Sequence, residues 1–143
     1  MILAAVDLSD HTRDVVTEAA SLSNAFDQPL HILHVMSQSE FVSRQQEHAE
    51  RTGEPIDMDA IREIASEHAE SVASEARISG EYTPVGVVGD ASSEIIEYAN
   101  AHNAIYIVVG PRRRSPTGKA VFGSTSQSVL LNASCPVVSI VGK

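Results

Sequence analysis

A cluster of basic side chains lies between two glycines in the last third of the sequence. An apolar run at 105–109 leads into Gly110, and the pair Gly123-Ser124 opens the next segment with helical spacing. Four of the ten basic residues of the chain stand between these points: Arg112, Arg113, Arg114 and Lys119. The end of a strand and the start of a helix both present unpaired N–H donors, and a helix start carries partial positive charge. In a chain of net charge -9, this segment is therefore predicted to bind an anion.

Two further residues are expected to share that site because they lie at the ends of other apolar runs. Asp7 follows the run at 2–6, and Val35 ends the run at 30–35. In an open parallel sheet, ligands bind beyond the carboxyl ends of the strands, near the point where the strand order reverses. Asp7, Val35 and Gly110 are therefore predicted to lie on one rim. Asp7 has an alternative role as a cap of the first helix.

The elements that position these residues alternate along the chain. Apolar runs predict five strands at 2–6, 30–35, 82–88, 104–109 and 136–141. Apolar residues at helical spacing predict helices after the capping candidates Ser9-Asp10, over 61–76, after Gly89-Asp90 and over 124–132. The expected fold is α/β, a single Rossmann-like open sheet of five parallel strands with about four helices on both faces, in one domain over 1–143. Pro84 and Gly86 in the third run predict that this strand lies at a sheet edge.

The segment 37–57 fits this scheme least well. It is a long polar stretch between a strand and a helix, and most connections are shorter. An extra helical turn is expected around 41–51, ended by the sequence Thr52-Gly53-Glu54-Pro55. Because the segment leaves the carboxyl end of the second strand, two alternatives stay open, a cover over a bound ligand or a surface insertion without a role.

The sequence resembles the universal stress protein family from end to end. The family's nucleotide motif is a glycine, two residues, a second glycine, nine residues, and then glycine followed by serine or threonine. The chain has this spacing from Gly110 to Gly123-Ser124, with Arg113 in place of the second glycine. Further similarity lies in Ala4-Ala5-Val6-Asp7, Leu33-His34-Val35 and Cys135-Pro136-Val137-Val138. The resemblance implies a stress-response role and a ligand that is ATP or a related adenine nucleotide, with or without Mg²⁺.

The resemblance also implies which residues contact the nucleotide. It assigns this role to Asp7, Val35, Gly110, Gly123 and Ser124. The predicted site also includes Val109, Thr125 and two basic residues whose charge suits phosphate, Arg113 and Lys119. Arg113 could direct its guanidinium at phosphate oxygens, although it cannot give the close backbone approach that glycine allows. The alternative is a solvated basic loop. Because family members commonly dimerise through the last strand, a homodimer through 137–141 is expected.

Other phosphate-transfer and nucleophile chemistries are disfavoured. The stretch 115–120 resembles the end of a Walker A loop, but Arg113 stands where that motif requires glycine and Ala120 where it requires Ser or Thr. No Gly-x-Ser-x-Gly signature occurs. Ser124 is therefore interpreted as a helix cap and a ribose or phosphate donor, and no catalytic residue is assigned.

Metal and thiol chemistry are disfavoured as well. His31 and His34 are predicted to face opposite sides of their strand, because their spacing is odd. No cluster of His, Cys and carboxylate residues has metal-ligand spacing. Cys135 is the one cysteine, and its apolar neighbours predict a buried residue rather than a reactive thiol.

The composition limits the environment and the partners. Acidic residues number 19 against 10 basic ones, and only Lys119 and Lys143 are lysines, which suits a halophilic protein. At near-molar salt the Debye length is ~3 Å, so anion recognition would rely on direct contacts. The acidic balance disfavours nucleic acids and acidic membranes as partners. The opening lacks a signal-peptide pattern and no apolar run approaches the ~18 residues of a membrane span, so a cytoplasmic location is expected.

The sequence thus predicts a stress-response regulatory protein that binds an adenine nucleotide and has at most a weak ATPase activity. Two alternatives stay open. One is a family member without nucleotide binding that works as an oligomeric stress or chaperone-like module, and the other is a slow ATPase. Adenine nucleotide released by denaturing the purified protein would separate the main prediction from the first alternative.

Overall fold

The centre of the fold is a parallel sheet of five strands in the order β3-β2-β1-β4-β7. A computed structural model describes residues 1–9, 11–110, 113–114 and 120–141. The sheet strands are β1 (Ile2–Val6), β2 (Leu30–Met36), β3 (Thr83–Val88), β4 (Tyr106–Val109) and β7 (Val137–Ser139). A separate antiparallel pair is formed by β5 (Arg113–Arg114) and β6 (Ala120–Val121). The Rossmann-like sheet of five parallel strands is confirmed, and the short β5-β6 pair lies where the sequence predicts a loop.

The strand order reverses at β1, which places the carboxyl ends of β1 and β4 side by side. β1 pairs with β2 along its full length. On its other side β1 pairs with β4 only from Ile2 to Ala4. The two strands therefore separate before the chain reaches Asp7 and Gly110, and a crevice opens between them.

Helices cover both faces of the sheet. They are α1 (Thr12–Phe26), α2 (Gln38–Thr52), α3 (Met58–Ala76), α4 (Ala91–Ala101) and α5 (Ser124–Asn132). One face packs against α1 and α3 through a core that includes Ile2, Val16, Ile32, Ala69 and Val108. The other face packs against α4 and α5 through Leu3, Leu33, Ile95, Ile107 and Val129. Alternate residues of each strand thus serve opposite cores. Among the described residues, none of the helices is long and apolar enough to cross a membrane.

Helix α2 is where the fold departs from the sequence expectation. The sequence predicts one extra helical turn, whereas α2 has 15 residues, so the described chain has five helices rather than about four. The Ser37 hydroxyl accepts from the Glu40 N–H at its start, and Gly53 ends it at φ 76°. None of its residues is buried, and the Gln45 amide ties it to the Ile56 backbone through hydrogen bonds of 2.8 and 3.3 Å. α2 therefore lacks the strong apolar stripe that predicts the other helices. Its caps and polar contacts hold it in place instead.

The edges of the sheet are β3 and β7. The edge position of β3 confirms the prediction from Pro84 and Gly86. A Cβ on Gly86 would lie 2.3 Å from both the Arg62 carbonyl oxygen and the Ser66 nitrogen, so α3 can approach β3 this closely only over a glycine. β4 and β7 are shorter than the predicted 104–109 and 136–141.

Candidate functional site

Two adjoining cavities lie at the carboxyl ends of the strands. An inner cavity of about 90 Å³ lies between the ends of β1 and β4. An outer cleft of about 480 Å³ lies above the ends of β1 and β2 and beside the start of α5, and its volume is within the range of small-molecule sites. Both are lined by Asp7, Ser9, Val35, Ala91, Thr125 and Ser126. Because they share these residues, we refer to the two together as the carboxyl-end cleft.

Most of the predicted nucleotide-binding residues come together in this cleft. Seven of the nine line it: Asp7, Val35, Val109, Gly110, Gly123, Ser124 and Thr125. Lys119 lies outside the described residues. For Arg113 the structure describes the backbone, which pairs with Val121 in the β5-β6 pair.

Asp7 leaves β1 at the floor of the carboxyl-end cleft. Its carboxylate is exposed, and Oδ1 accepts from the Ser9 N–H at 2.8 Å. The N-cap of α1 is His11, which makes no side-chain cap hydrogen bond. Ser9, one of the two predicted capping candidates, is therefore not the N-cap of α1. The other candidate, Asp10, lies outside the described residues. The alternative role of Asp7 as a helix cap is wrong, because its carboxylate is bonded within the loop before the helix.

Two imidazoles contact the backbone of β1 directly behind Asp7. His34 on β2 is buried, and its Nδ1 lies 3.1 Å from the Val6 carbonyl oxygen. His68 on α3 places Nε2 2.9 Å from the Asp7 carbonyl oxygen. The ring centroids of the two histidines are 4.4 Å apart. Burial lowers the pKa of His34, and the hydrogen bond to Val6 opposes this shift.

The start of α5 is joined to the end of β4 by a buried hydroxyl. Ser126 Oγ donates to the Gly110 carbonyl oxygen at 2.8 Å. A Cβ on Gly110 would lie 2.8 Å from Val15 Cγ2, so this position requires glycine because α1 approaches so closely. Gly123 is the N-cap of α5, which corrects the interpretation of Ser124 as the cap. Ser124 is instead the first residue of the helix and is exposed.

The helix starts around the cleft differ in how their N–H groups are satisfied. α2 and α4 have side-chain caps, since Ser37 accepts from the Glu40 N–H and Asp90 accepts from the Ser93 N–H. The caps of α1 and α5, His11 and Gly123, make no side-chain hydrogen bond. The first N–H groups of a helix have no partner within it. Those of α1 and α5 receive no cap from the side chains of His11 and Gly123, at the place where the cavity lies.

Several cleft residues carry no signal in the motif. Ser9, His34, Ser37, Glu40, Ala91 and Ser126 line the cleft but were not expected there. Ser37 and Ala91 could have been found by the rule that led to Asp7, because they follow the carboxyl ends of β2 and β3. Ser126 has no such signal, since a helical serine is ordinarily exposed.

The amino end of the sheet holds a second group of ring side chains. His31 Nδ1 lies 2.6 Å from the Tyr98 hydroxyl, and the rings of Tyr98 and His102 are stacked at 3.9 Å. His31 belongs to the α4 face and His34 contacts α3, which confirms that the two face opposite sides of β2. Burial lowers the pKa of His31, and the neighbouring His102 lowers it further.

Cys135 is half-buried, which is less than expected. Burial raises the pKa of its thiol, so the reactive thiolate is disfavoured. Within the described ranges, no group of three or more His, Cys, Asp or Glu side chains could hold a metal ion.

This chain belongs to the universal stress protein family, whose model matches residues 1–140. A universal stress protein of Mycolicibacterium smegmatis is 39% identical over 57 residues, which are 40% of this chain and 42% of that relative. The match thus spans less than half the length of that relative.

Solved structures of the family have the same fold. A universal stress protein of Archaeoglobus fulgidus is 27% identical, with a TM-score of 0.64 over 97% of this chain and 96% of that one. A structure of the Archaeoglobus fulgidus protein in complex with dAMP is 23% identical, with a TM-score of 0.60 over 97% of this chain and 95% of that one.

Proposed function

We propose that the carboxyl-end cleft binds ATP or a related adenine nucleotide and that the protein is a stress-response regulator. The observation that carries the proposal is the pair of helix starts, α1 and α5, that line the cleft and whose N-cap residues, His11 and Gly123, make no side-chain cap hydrogen bond. Their N–H donors match phosphate and ribose oxygens. The dAMP complex of the Archaeoglobus relative supports the same ligand class.

The charges around the cleft favour one orientation of the nucleotide. Asp7 and Glu40 line the outer cleft on the side of β1 and α2, and their carboxylates repel phosphate. Gly123 and Ser124 at the start of α5 line the other side. The phosphates therefore lie toward α5. The nucleoside lies toward Asp7, whose carboxylate accepts from an adenine amine or a ribose hydroxyl, and toward the apolar side chain of Val35.

The basic segment between Gly110 and Gly123 adds positive charge at the phosphate end of the cleft. It leaves β4 after Gly110 and returns at Gly123, so chain connectivity ties both of its ends to the cleft. We assign Arg113 and Lys119 to the phosphates, with Mg²⁺ as a companion ion of ATP. Direct contacts of this kind persist in salt that screens longer-range attraction.

The first test is the release of bound nucleotide. The purified protein is denatured, and the supernatant is analysed for adenine nucleotides by chromatography. The stripped protein is then refolded and titrated with ATP in a calorimeter. This titration detects a ligand that is bound too weakly to survive purification. If no nucleotide is released and ATP gives no binding heat, the alternative of an oligomeric stress or chaperone-like module is favoured. Phosphate produced from ATP, abolished by a cleft substitution, would favour the slow ATPase.

We also propose a homodimer through β7. This strand has a partner on one side only, and an exposed edge is a template for pairing with a second copy. Val141, just beyond the strand, is 56% exposed. Deletion of 138–143 should give a monomer or insoluble protein. A soluble dimer of the shortened chain in light scattering would mean that the interface lies elsewhere.

The composition supports a proposal about the environment, namely one domain working in the cytoplasm at high salt. Repulsion within a chain of net charge -9 weakens as salt screens it. The melting temperature should therefore rise from low to molar KCl, in one cooperative transition. A melting temperature that does not depend on KCl would count against the halophilic proposal, and two separated transitions would count against the single domain.

A further inference from the structure

We propose that His34 and His68 are positioning residues that fix the end of β1 and thereby aim the Asp7 carboxylate at the nucleoside. The inference rests on the proposed function for the nucleoside itself. It concerns two residues that the nucleotide motif does not include, although one of them belongs to a stretch that resembles the family.

The geometry shows a two-point hold on consecutive carbonyls. His34 reaches the Val6 carbonyl from β2 at 3.1 Å, and His68 reaches the Asp7 carbonyl from α3 at 2.9 Å. A carbonyl oxygen can only accept, so His34 carries its proton on Nδ1 and His68 on Nε2. The rings are also in contact with each other, with centroids 4.4 Å apart. We call this arrangement the histidine clamp.

The end of β1 needs such a hold because the sheet supports it on one side only. The β4 ladder stops at Ala4, and the carboxyl-end cleft opens at that point. Asp7 has already left the strand, and among the described residues its carboxylate is held by one hydrogen bond, from the Ser9 N–H at 2.8 Å. If the peptide group between Val6 and Asp7 rotated, the Asp7 carboxylate would move relative to the cleft. The clamp fixes the carbonyls on both sides of Asp7's Cα–N bond and so restricts that rotation.

Burial and the surrounding charged groups act on the protonation of His34 in opposite directions. The titratable groups that face His34 are His68 on α3, Glu40 on α2 and Asp7 at the end of β1. Burial and the neighbouring His68 lower the pKa of His34, while the bond to Val6 and the two carboxylates act in the opposite direction. The Nδ1–H that bonds to Val6 is present both in this neutral tautomer and in the protonated ring.

The alternative is that both histidines merely fill space, and matched substitutions separate the two roles. His34→Asn and His68→Gln each keep a donor close to the ring nitrogen that is used, whereas His34→Leu and His68→Leu keep apolar bulk without a donor. His102→Leu is the control, because His102 is exposed at the other end of the sheet and its Nδ1 also contacts a backbone carbonyl, that of Tyr98.

Each variant is compared with the wild-type protein by two measurements, at one pH and one high salt concentration. Hydrogen exchange of the Ser9 amide reports the loop geometry without any ligand, and calorimetric titration with AMP reports the nucleoside contact. We expect the Leu variants to exchange Ser9 faster and to bind AMP about threefold to tenfold more weakly, as loss of one hydrogen bond implies. The Asn and Gln variants should restore both, and His102→Leu should change neither.

Three results would overturn the clamp. They are Ser9 exchange that is unchanged in the Leu variants, affinity loss that follows melting temperature and is not rescued by Asn or Gln, and NMR spectra with His34 protonated on Nε2 alone. Failure of the proposed function looks different. If the wild-type protein binds no AMP, the nucleotide proposal falls, whereas the Ser9 exchange and the tautomers still decide whether the clamp exists.

Discussion

His34 and His31 lie on the same strand, but their imidazoles serve different groups at the two ends of the sheet. At the carboxyl end, His34 donates to the backbone of β1 and leaves a carboxylate, Asp7, facing the cleft. At the amino end, His31 bonds to the Tyr98 hydroxyl, and Tyr98 stacks on His102. The side chains of the amino end thus satisfy one another, whereas those of the carboxyl end present groups to a ligand.

The helix ends reinforce this difference. Helices start at the carboxyl end of the sheet, and the N-cap residues of α1 and α5 make no side-chain cap hydrogen bond. At the amino end, α1 closes on its own backbone, since the Asp27 N–H bonds to the carbonyls of Ser23 and Asn24. Helix starts attract anions and helix ends repel them. The two ends of the sheet should therefore differ in ligand binding.

The largest effect is expected at the phosphate end of the cleft. Lys119→Ala should weaken ATP binding by ~1.5–3 kcal/mol, about tenfold to a hundredfold, because a charge-assisted hydrogen bond is lost. The loss should grow from AMP to ATP and be negligible for adenosine. Calorimetric titrations of the three ligands at one fixed high salt concentration measure it.

Arg113→Gly is the matched variant in the same basic segment. It removes one charged side chain but restores the glycine that the family motif has at this position, so its penalty should be smaller than that of Lys119→Ala, or even a gain. Equal ATP affinity of both variants and the wild-type protein would mean that the segment is a solvated loop.

A steric change at Gly110 should have a comparable effect on folding stability. Gly110→Ala places a Cβ 2.8 Å from Val15 Cγ2, and overpacking of this kind costs about 1–3 kcal/mol of unfolding free energy. Urea unfolding measures the loss. Adding Val15→Ala should relieve the clash, so the double variant should be more stable than the sum of the two single losses predicts. Strictly additive losses would show that the contact is not the cause.

A smaller effect is expected from Asp7→Asn. The amide oxygen can still accept from the Ser9 N–H, so the melting temperature should hardly change, but the charged acceptor facing the nucleoside is lost. Adenosine binding should weaken by about tenfold. Parallel titration and thermal melts separate the two quantities, and an equal loss of stability would favour a purely structural role.

The smallest effect is a dependence of stability on pH. Burial lowers the pKa of both His34 and His31 below the ordinary 6.5, so the unfolded chain binds protons more readily than the folded one. The free energy of unfolding should fall as pH drops below about 6.5 and level off once the folded histidines are also protonated. Urea unfolding across this range measures the slope. His34→Asn and His31→Asn should each flatten it, and a slope that neither variant changes would place its origin elsewhere.

The sheet was predictable from the sequence because its strands are continuous apolar runs. The run at 2–6 coincides with β1, and the segment 124–132 coincides with α5. The rule that ligands bind at the carboxyl ends of parallel strands is enough to predict that Asp7, Val35 and Gly110 line one cleft. The sequence does not indicate the full length of α2, since a helix that buries none of its residues gives a weak apolar pattern.

The finer features of the cleft depend on distances that a sequence does not contain. The pairing of His34 with His68 joins residues from β2 and α3 across the end of β1, and the bond from Ser126 to Gly110 joins α5 to β4. Nothing in local spacing connects such residues. The positions of the N-caps, His11 in α1 and Gly123 in α5, are equally hidden, because Ser9 and Ser124 have the residue type of typical caps.

The most direct test of nucleotide binding at the carboxyl end is a map of amide chemical shifts during titration with ATP. We predict that the amides of Ser9, Gly110 and residues 123–126 shift in a saturable way, while those of His31, Tyr98 and His102 at the amino end stay in place. Shifts confined to the amino end, or no saturable shift at any residue, would contradict the account.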